Sequence, residues 1–381
     1  MKRRATKNSR MTNKVFSNFR YLPYLVVIAA WTISLAAKLH THGLMFGLDF
    51  GLYHPDGTLY TFRTLTWMGK SQVEAGIEIS QWYSRHASKF ISVDPSSLYF
   101  ENNPGWDIYK LRYLYPLLSI PFVALFGIVG MLAVPAISML VLMLLTYELS
   151  KKFNKELMGI FLALFFSISS TISRWMFVNT ADALLTGFFS VVVLILLNKN
   201  KVKYFGLIVF SLVLLTSFTR FALLIWASIG FVLIIRKSRK VGIGIIISAF
   251  VAFCPTLFVN FTPSVLASDS NLPLFRKLLQ FPFTCVKVAF YEVAELVVLD
   301  RYLILFLVLT TFVALSTLKA ESSKFYLAVL LSLWLTGAIN GVVGVNFRYQ
   351  LPILPFAAWV IFESSEMFLL RMRPYFAQIF R

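Results

Sequence analysis

The sequence predicts an all-α, polytopic membrane protein of roughly ten transmembrane helices with a long outer first loop that contains juxtamembrane helices. Composition comes first: 58% of residues are hydrophobic and the mean hydropathy is +0.74, too much apolar surface for a domain dissolved in water. Second, apolar runs of roughly 15 to 20 residues recur between short charged clusters, the pattern that crosses a hydrocarbon core of about 30 Å. Third, the formal charge of +19 is unevenly spread. With alternate loops assigned to opposite sides, one side holds 22 Lys and Arg with 5 acids, and the other holds 14 with 12 acids. That asymmetry is the positive-inside signature, so topology explains the basicity and no nucleic-acid partner is required.

In chain order, residues 1–20 are a basic cytoplasmic tail, and 21–381 form a single transmembrane unit. The first span, 21–38, is expected to be retained, because Ser34-Leu35-Ala36 makes a poor signal-peptide cleavage site and the apolar stretch is long for one. Residues 39–129 are the large outer loop with its juxtamembrane helices. Its polar part, 39–112, carries all four histidines and seven acids. The stretch 113–129 is apolar and contains Pro116 and Pro121. Counted as a crossing it would break the parity that keeps every Lys-rich cluster inside, so it reads as a re-entrant or juxtamembrane helix on the outer face. Spans follow at 130–148, 157–173, 183–197, 204–219, 221–235 and 241–257, with KKFNK, KNKVK and RKSRK in the cytoplasmic turns between them. The outer segment 258–301, with Pro263, Pro273 and Pro282, reads as helices lying in the interface. Spans 302–318, 325–339 and 353–370 complete the set, placing both termini in the cytoplasm.

Residues able to carry chemistry fall on the less basic side. In GLDFGLYHPDGTLYTFRTLTWMG (47–69), Pro55-Asp56-Gly57 is a turn and helix-start signal, with Asp56 placed to cap the helix that follows. Asp56, Tyr60, Arg63 and Trp67 then lie within roughly 60° on one helical face, as a catalytic set or as the polar face of an interfacial helix. In SRWMFVNTADALL (173–185), Arg174 and Asp182 stand at or just outside membrane depth, where ionisable groups mark function or serve as a snorkelling anchor and a helix-start acid. Arg220 in LTSFTRFALLIW and Arg348 beside Tyr349 in NFRYQLPILP come from two further turns. Each alone reads as an interface anchor; with Arg174, three arginines converging on one side suit an anionic headgroup or phosphate. His40, His42, His54 and His86 lack metal-site spacing and read as loop histidines, so no metal is expected. Cys254 and Cys285 read as packing residues, Asn260-Phe261-Thr262 as a chance sequon, and Glu363 and Glu366 as structural.

The order of these parts resembles the GT-C glycosyltransferases, the membrane enzymes that include protein O-mannosyltransferases and bacterial lipid A aminoarabinose transferases. Asp56 with Tyr60 resembles the family's acid and tyrosine after the first helix, and YLYPLL (113–118) its aromatic-Pro-Leu stretch. RWMFVNTADALL (174–185) is similar to its Arg followed by Asp-Ala-Leu-Leu, and TRFALL (219–224) and RYQLPILP (348–355) to its later arginine stretches. Gly57 departs from the pattern, which often has a second acid there, and Asp49 is a rival for the catalytic place. The resemblance implies a compact bacterial member in the cell membrane. It would transfer a sugar, with inversion, from a polyprenyl-phosphate donor to a hydroxyl of a glycan, lipid or protein acceptor on the extracytoplasmic face. Asp56 would be the base and Asp182 its partner, with Tyr60, Arg63, Arg174, Arg220, Arg348 and Tyr349 binding substrate. The alternative is a transporter or flippase of lipid-linked cell-envelope intermediates, which should place ionisable groups near the midplane on broken helices.

Overall fold

A computed structural model describes residues 21–40, 55–86, 93–100, 111–199, 204–220, 222–260, 274–340 and 347–379. Among them the chain is all-helical, with no strand. The helices are α1 (Leu22–His40), α2 (Pro55–Trp67), α3 (Gln72–His86), α4 (Leu114–Phe126), α5 (Ala133–Lys151), α6 (Glu156–Ile168), α7 (Ser170–Phe177) and α8 (Asp182–Leu197). They continue with α9 (Phe205–Ser217), α10 (Leu223–Ile235), α11 (Arg239–Asn260), α12 (Leu274–Leu299), α13 (Arg301–Ser316), α14 (Glu321–Asn340) and α15 (Leu354–Ile379). Short 3₁₀ segments stand at Pro95–Leu98, Gly127–Leu132 and Arg348–Ile353.

The described residues of each predicted span are largely helical, and those of 157–173 fall in two helices. Among the described residues, α1, the run Leu114–Lys151 and the run Arg348–Met372 are long and apolar enough by length and composition to cross a membrane, and the bent pair α6–α7, counted as one span, gives a fourth. Helices α8, α9, α10 and α13 are apolar but have 16, 13, 13 and 16 residues, short of the roughly 20 that a full crossing takes.

The stretch 157–173, expected to be one helix, is broken at Ser169 with a bend of 71°. Hydrogen bonding to Asp300, remote in sequence, is the reason. The Ser169 hydroxyl accepts from the Ile172 amide at 3.2 Å, capping α7, and donates to the Asp300 carboxylate at 2.5 Å. Asp300 also accepts from the Thr171 amide at 3.1 Å and, capping α13, from the Leu303 amide at 3.0 Å. One buried carboxylate thus satisfies the orphan N–H groups of two helix starts. In the segment 258–301, expected as helices lying in the interface, the described residues form the end of α11 and the long helix α12; residues 261–273 lie outside the described set.

Between α4 and α5 the chain needs glycine twice. Gly127 has φ +63°, and a Cβ on Gly130 would lie 2.2 Å from the Phe122 carbonyl oxygen. At the start of α3 a capping box forms, with the Ser71 amide donating to Glu74 at 2.8 Å and the Glu74 amide donating to the Ser71 hydroxyl at 3.2 Å. The Ser71 backbone N–H holds the Glu74 carboxyl below its usual range.

The bundle has two chemically distinct ends. At one end, Tyr24 bonds Glu148, Lys199 pairs with Glu321 at 2.8 Å, Arg236 approaches the same glutamate at 3.6 Å, and Lys155 reaches Glu366 at 3.5 Å. Glu363 accepts there from the Ser322 amide at 3.0 Å. Every one of these groups belongs to a segment that the sequence assigns to the basic side. The opposite end gathers Asp56, Asp182, Arg220 and Arg348. Helix α8 runs between the ends, packed on α5 and α15, with Phe189 against Trp226 and Phe356 at ring separations of 5.5 and 6.2 Å.

Candidate functional site

Four segments far apart in sequence build one cluster. Helix α2 begins at Pro55, so Asp56 occupies its first turn, where a carboxylate is favoured by the exposed amides. Asp182 likewise opens α8. Arg220 sits in the turn after α9, where its amide donates to the Thr216 carbonyl at 3.0 Å. Arg348 opens a 3₁₀ segment behind Phe347, which has the left-handed φ of +66°. The Leu114 amide donates to the Phe218 carbonyl at 3.1 Å and so fastens the start of α4 beside the Arg220 turn.

Arg348 joins two carboxylates: its Nη2 donates to Asp56 Oδ2 at 2.6 Å and its Nε to Asp182 Oδ2 at 2.5 Å. Asp182 Oδ1 in turn pairs with Arg220 Nη1. The result is a chain of alternating charge, Asp56, Arg348, Asp182, Arg220. Asp182 and Arg348 are each only 2% exposed, whereas the Asp56 side chain is 31% exposed. Buried charges at this depth persist only when paired, so the network is self-consistent.

Aromatic rings line the guanidinium groups. Arg220 lies 4.0 Å from the Tyr349 ring centroid, while Arg348 lies 5.8 Å from Tyr349 and 5.4 Å from Trp175. Burial pushes Arg220 down to about 10, opposed by the nearby Tyr349, and the group stays charged at neutral pH. Arg112 Nη1 donates to the Tyr60 hydroxyl at 3.5 Å, and the Tyr60 ring meets Tyr115 edge-on at 5.1 Å.

The structure brings together Asp56, Asp182, Arg220, Arg348 and Tyr349, with Tyr60 one helical turn from Asp56. Arg174 stands at the edge, 5.2 Å from the same Trp175 ring that faces Arg348. Arg63 is placed over Tyr113 at 4.9 Å and Trp67 at 5.8 Å, and burial lowers its pKa. Helix α2 is not an interfacial helix with a wet face, because Thr58 to Leu65 are all buried. Its Thr61 and Thr64 hydroxyls donate to the carbonyls of Gly57 and Tyr60, at 2.7 and 2.9 Å. Asp49, His42 and His54 lie outside the described residues. Among the described residues no group of three or more His, Cys, Asp or Glu side chains is arranged to hold a metal ion. Cys254 is a free thiol.

Sequence reasoning missed Arg112, Trp175 and Asn179. Arg112 directly precedes YLYPLL, and the other two stand inside the stretch that supplied Arg174 and Asp182, so adjacency was the available signal. Asn179 explains the departure at Gly57: a Cβ there would lie 2.1 Å from Asn179 Nδ2, an atom that also donates to the Tyr83 hydroxyl at 3.1 Å. A larger residue beside Asp56 would therefore collide with the Asn179 side chain, just before α8.

Comparison with protein-family models, curated proteins and solved structures found no match to this chain.

Proposed function

We propose that the chain is a bacterial cell-membrane glycosyltransferase of the GT-C kind, moving a sugar from a polyprenyl-phosphate donor to an acceptor hydroxyl on the extracytoplasmic face. Its ten apolar segments cross the bilayer, the short ones crossing a locally thinned or protein-lined zone, with both termini in the cytoplasm. The observation that carries the reading is the convergence of Asp56, Asp182, Arg220 and Arg348 at the less basic end of the bundle, across up to 292 residues of chain. That cluster has the two groups the reaction needs. A part-exposed carboxylate at a helix start takes the acceptor proton, and guanidinium groups stabilise the phosphate that leaves. A donor already activated as a phosphodiester requires no nucleotide.

The transporter alternative draws support from one observation, the 71° break between α6 and α7, since discontinuous helices line many transport sites. Here the break is closed by Asp300, and the charged cluster stands at one end of the bundle. The two readings separate in proteoliposomes supplied with polyprenyl-phosphate hexoses and pentoses and a membrane extract as acceptor. Sugar transfer with release of free polyprenyl phosphate supports the enzyme. Movement of a labelled lipid-linked sugar between leaflets with the sugar retained supports the transporter.

A further inference from the structure

We propose that the carrier phosphate enters by replacing Asp56 on Arg348, so that donor binding itself uncovers the carboxylate that acts as base; the inference rests on the lipid-phosphate reading above. Arg348 holds two acids in unequal circumstances. Asp182 is 2% exposed and gripped by both Arg220 and Arg348, so removing it would strand a buried charge. Asp56 is 31% exposed and meets Arg348 through Nη2 at 2.6 Å. A ligand arriving from solvent therefore reaches Arg348 on the Asp56 side. Tyr60 and Arg112 stand on that side too, with Arg112 half-buried and 3.5 Å from the tyrosine hydroxyl.

In the transfer step the acceptor oxygen bonds to the anomeric carbon and its proton passes to Asp56. The bond from the anomeric carbon to the phosphate oxygen breaks, with its electron pair going to the phosphate. Asp56 becomes neutral as the phosphate becomes a dianion, so the step leaves the net charge unchanged. Before the donor binds, a carboxylate bonded to Arg348 is a weak base. The proposal thus implies that donor precedes acceptor.

The test is the affinity of polyprenyl monophosphate, without sugar, for the full chain in nanodiscs. If Asp56 competes with phosphate for Arg348, Asp56→Asn should bind this probe about three- to tenfold more tightly than the parent while losing transfer. Asp56→Ser should behave alike and serves if the Asn variant does not insert. Asp182→Asn should show no such gain. Equal or weaker binding by both Asp56 variants overturns the proposal while leaving the glycosyltransferase reading in place, since it would mean that Asp56 only orients Arg348. A parent protein that neither binds the probe nor consumes any lipid-linked sugar overturns the reading and the proposal together.

Discussion

Arg348 shows why the site needs arginine rather than any cation. Its planar fork reaches Asp56 with Nη2 and Asp182 with Nε, two separate nitrogens held in one rigid plane, where a lysine would offer a single flexible ammonium. Asp56 was legible from the sequence because Pro55-Asp56-Gly57 is a local signal, and the arginines because of the side on which they fall. That Arg348 would bind two aspartates was not legible, since no local pattern encodes a pairing across 292 residues. Gly57 gives a prediction at this scale. Because a Cβ there meets Asn179 at 2.1 Å, Gly57→Ala should cost about 1–3 kcal/mol by overpacking and displace the first turn of α2. Adding Asn179→Ala removes the obstruction, so the double variant should be less destabilised than the two single effects summed, by more than ~0.5 kcal/mol in thermal unfolding. Strict additivity would show that the two side chains do not oppose each other.

The elements were legible where their determinants are local and hidden where they are not. Apolar runs located the helices, whereas the Ser71–Glu74 capping box, although local, was not read from the sequence and was found in the structure. The break at Ser169 was missed because the apolar pattern continues through 157–173, and the partner that favours breaking it, Asp300, lies 131 residues away. The break matters to the site because α7 carries Trp175 to within 5.4 Å of Arg348. Asp300→Ala should therefore destabilise the fold by about 2–4 kcal/mol, two lost caps plus unpaired buried donors. Turnover should fall with it. Asp300→Asn, which keeps one acceptor oxygen, should lie between. Parent-like melting of the Ala variant would show that the two helix starts do not depend on the carboxylate.

At the scale of the molecule, the segregation of charge was the most readable feature. The loops that parity places on the basic side meet at one end of the bundle, through Lys199 and Arg236 at Glu321 and Lys155 at Glu366, and the candidate site forms at the other. The number of crossings was less readable, because several apolar helices have only 13 to 16 residues and hydropathy does not report tilt or local bilayer thickness. The topology predicts that an impermeant thiol reagent applied from outside modifies Ser71→Cys and spares Ser238→Cys. The reverse pattern would put the cluster on the cytoplasmic face.

The most direct measurement of the central claim is single-turnover sugar transfer from a polyprenyl-phosphate donor in proteoliposomes, comparing the parent with Asp56→Asn and Asp49→Asn. Asp56 lies inside the first turn of α2 and holds Arg348 rather than capping the helix. Removing a general base typically costs about 10²- to 10⁴-fold in rate, whereas a purely structural Asp56 would show its loss as lowered stability, so the two roles separate when rate and thermal unfolding are read on the same variant. The account predicts that Asp56→Asn inserts normally and transfers at least about 100-fold more slowly, with Asp49→Asn much milder. Near-parent transfer by Asp56→Asn, above all together with a collapsed rate for Asp49→Asn, would contradict it.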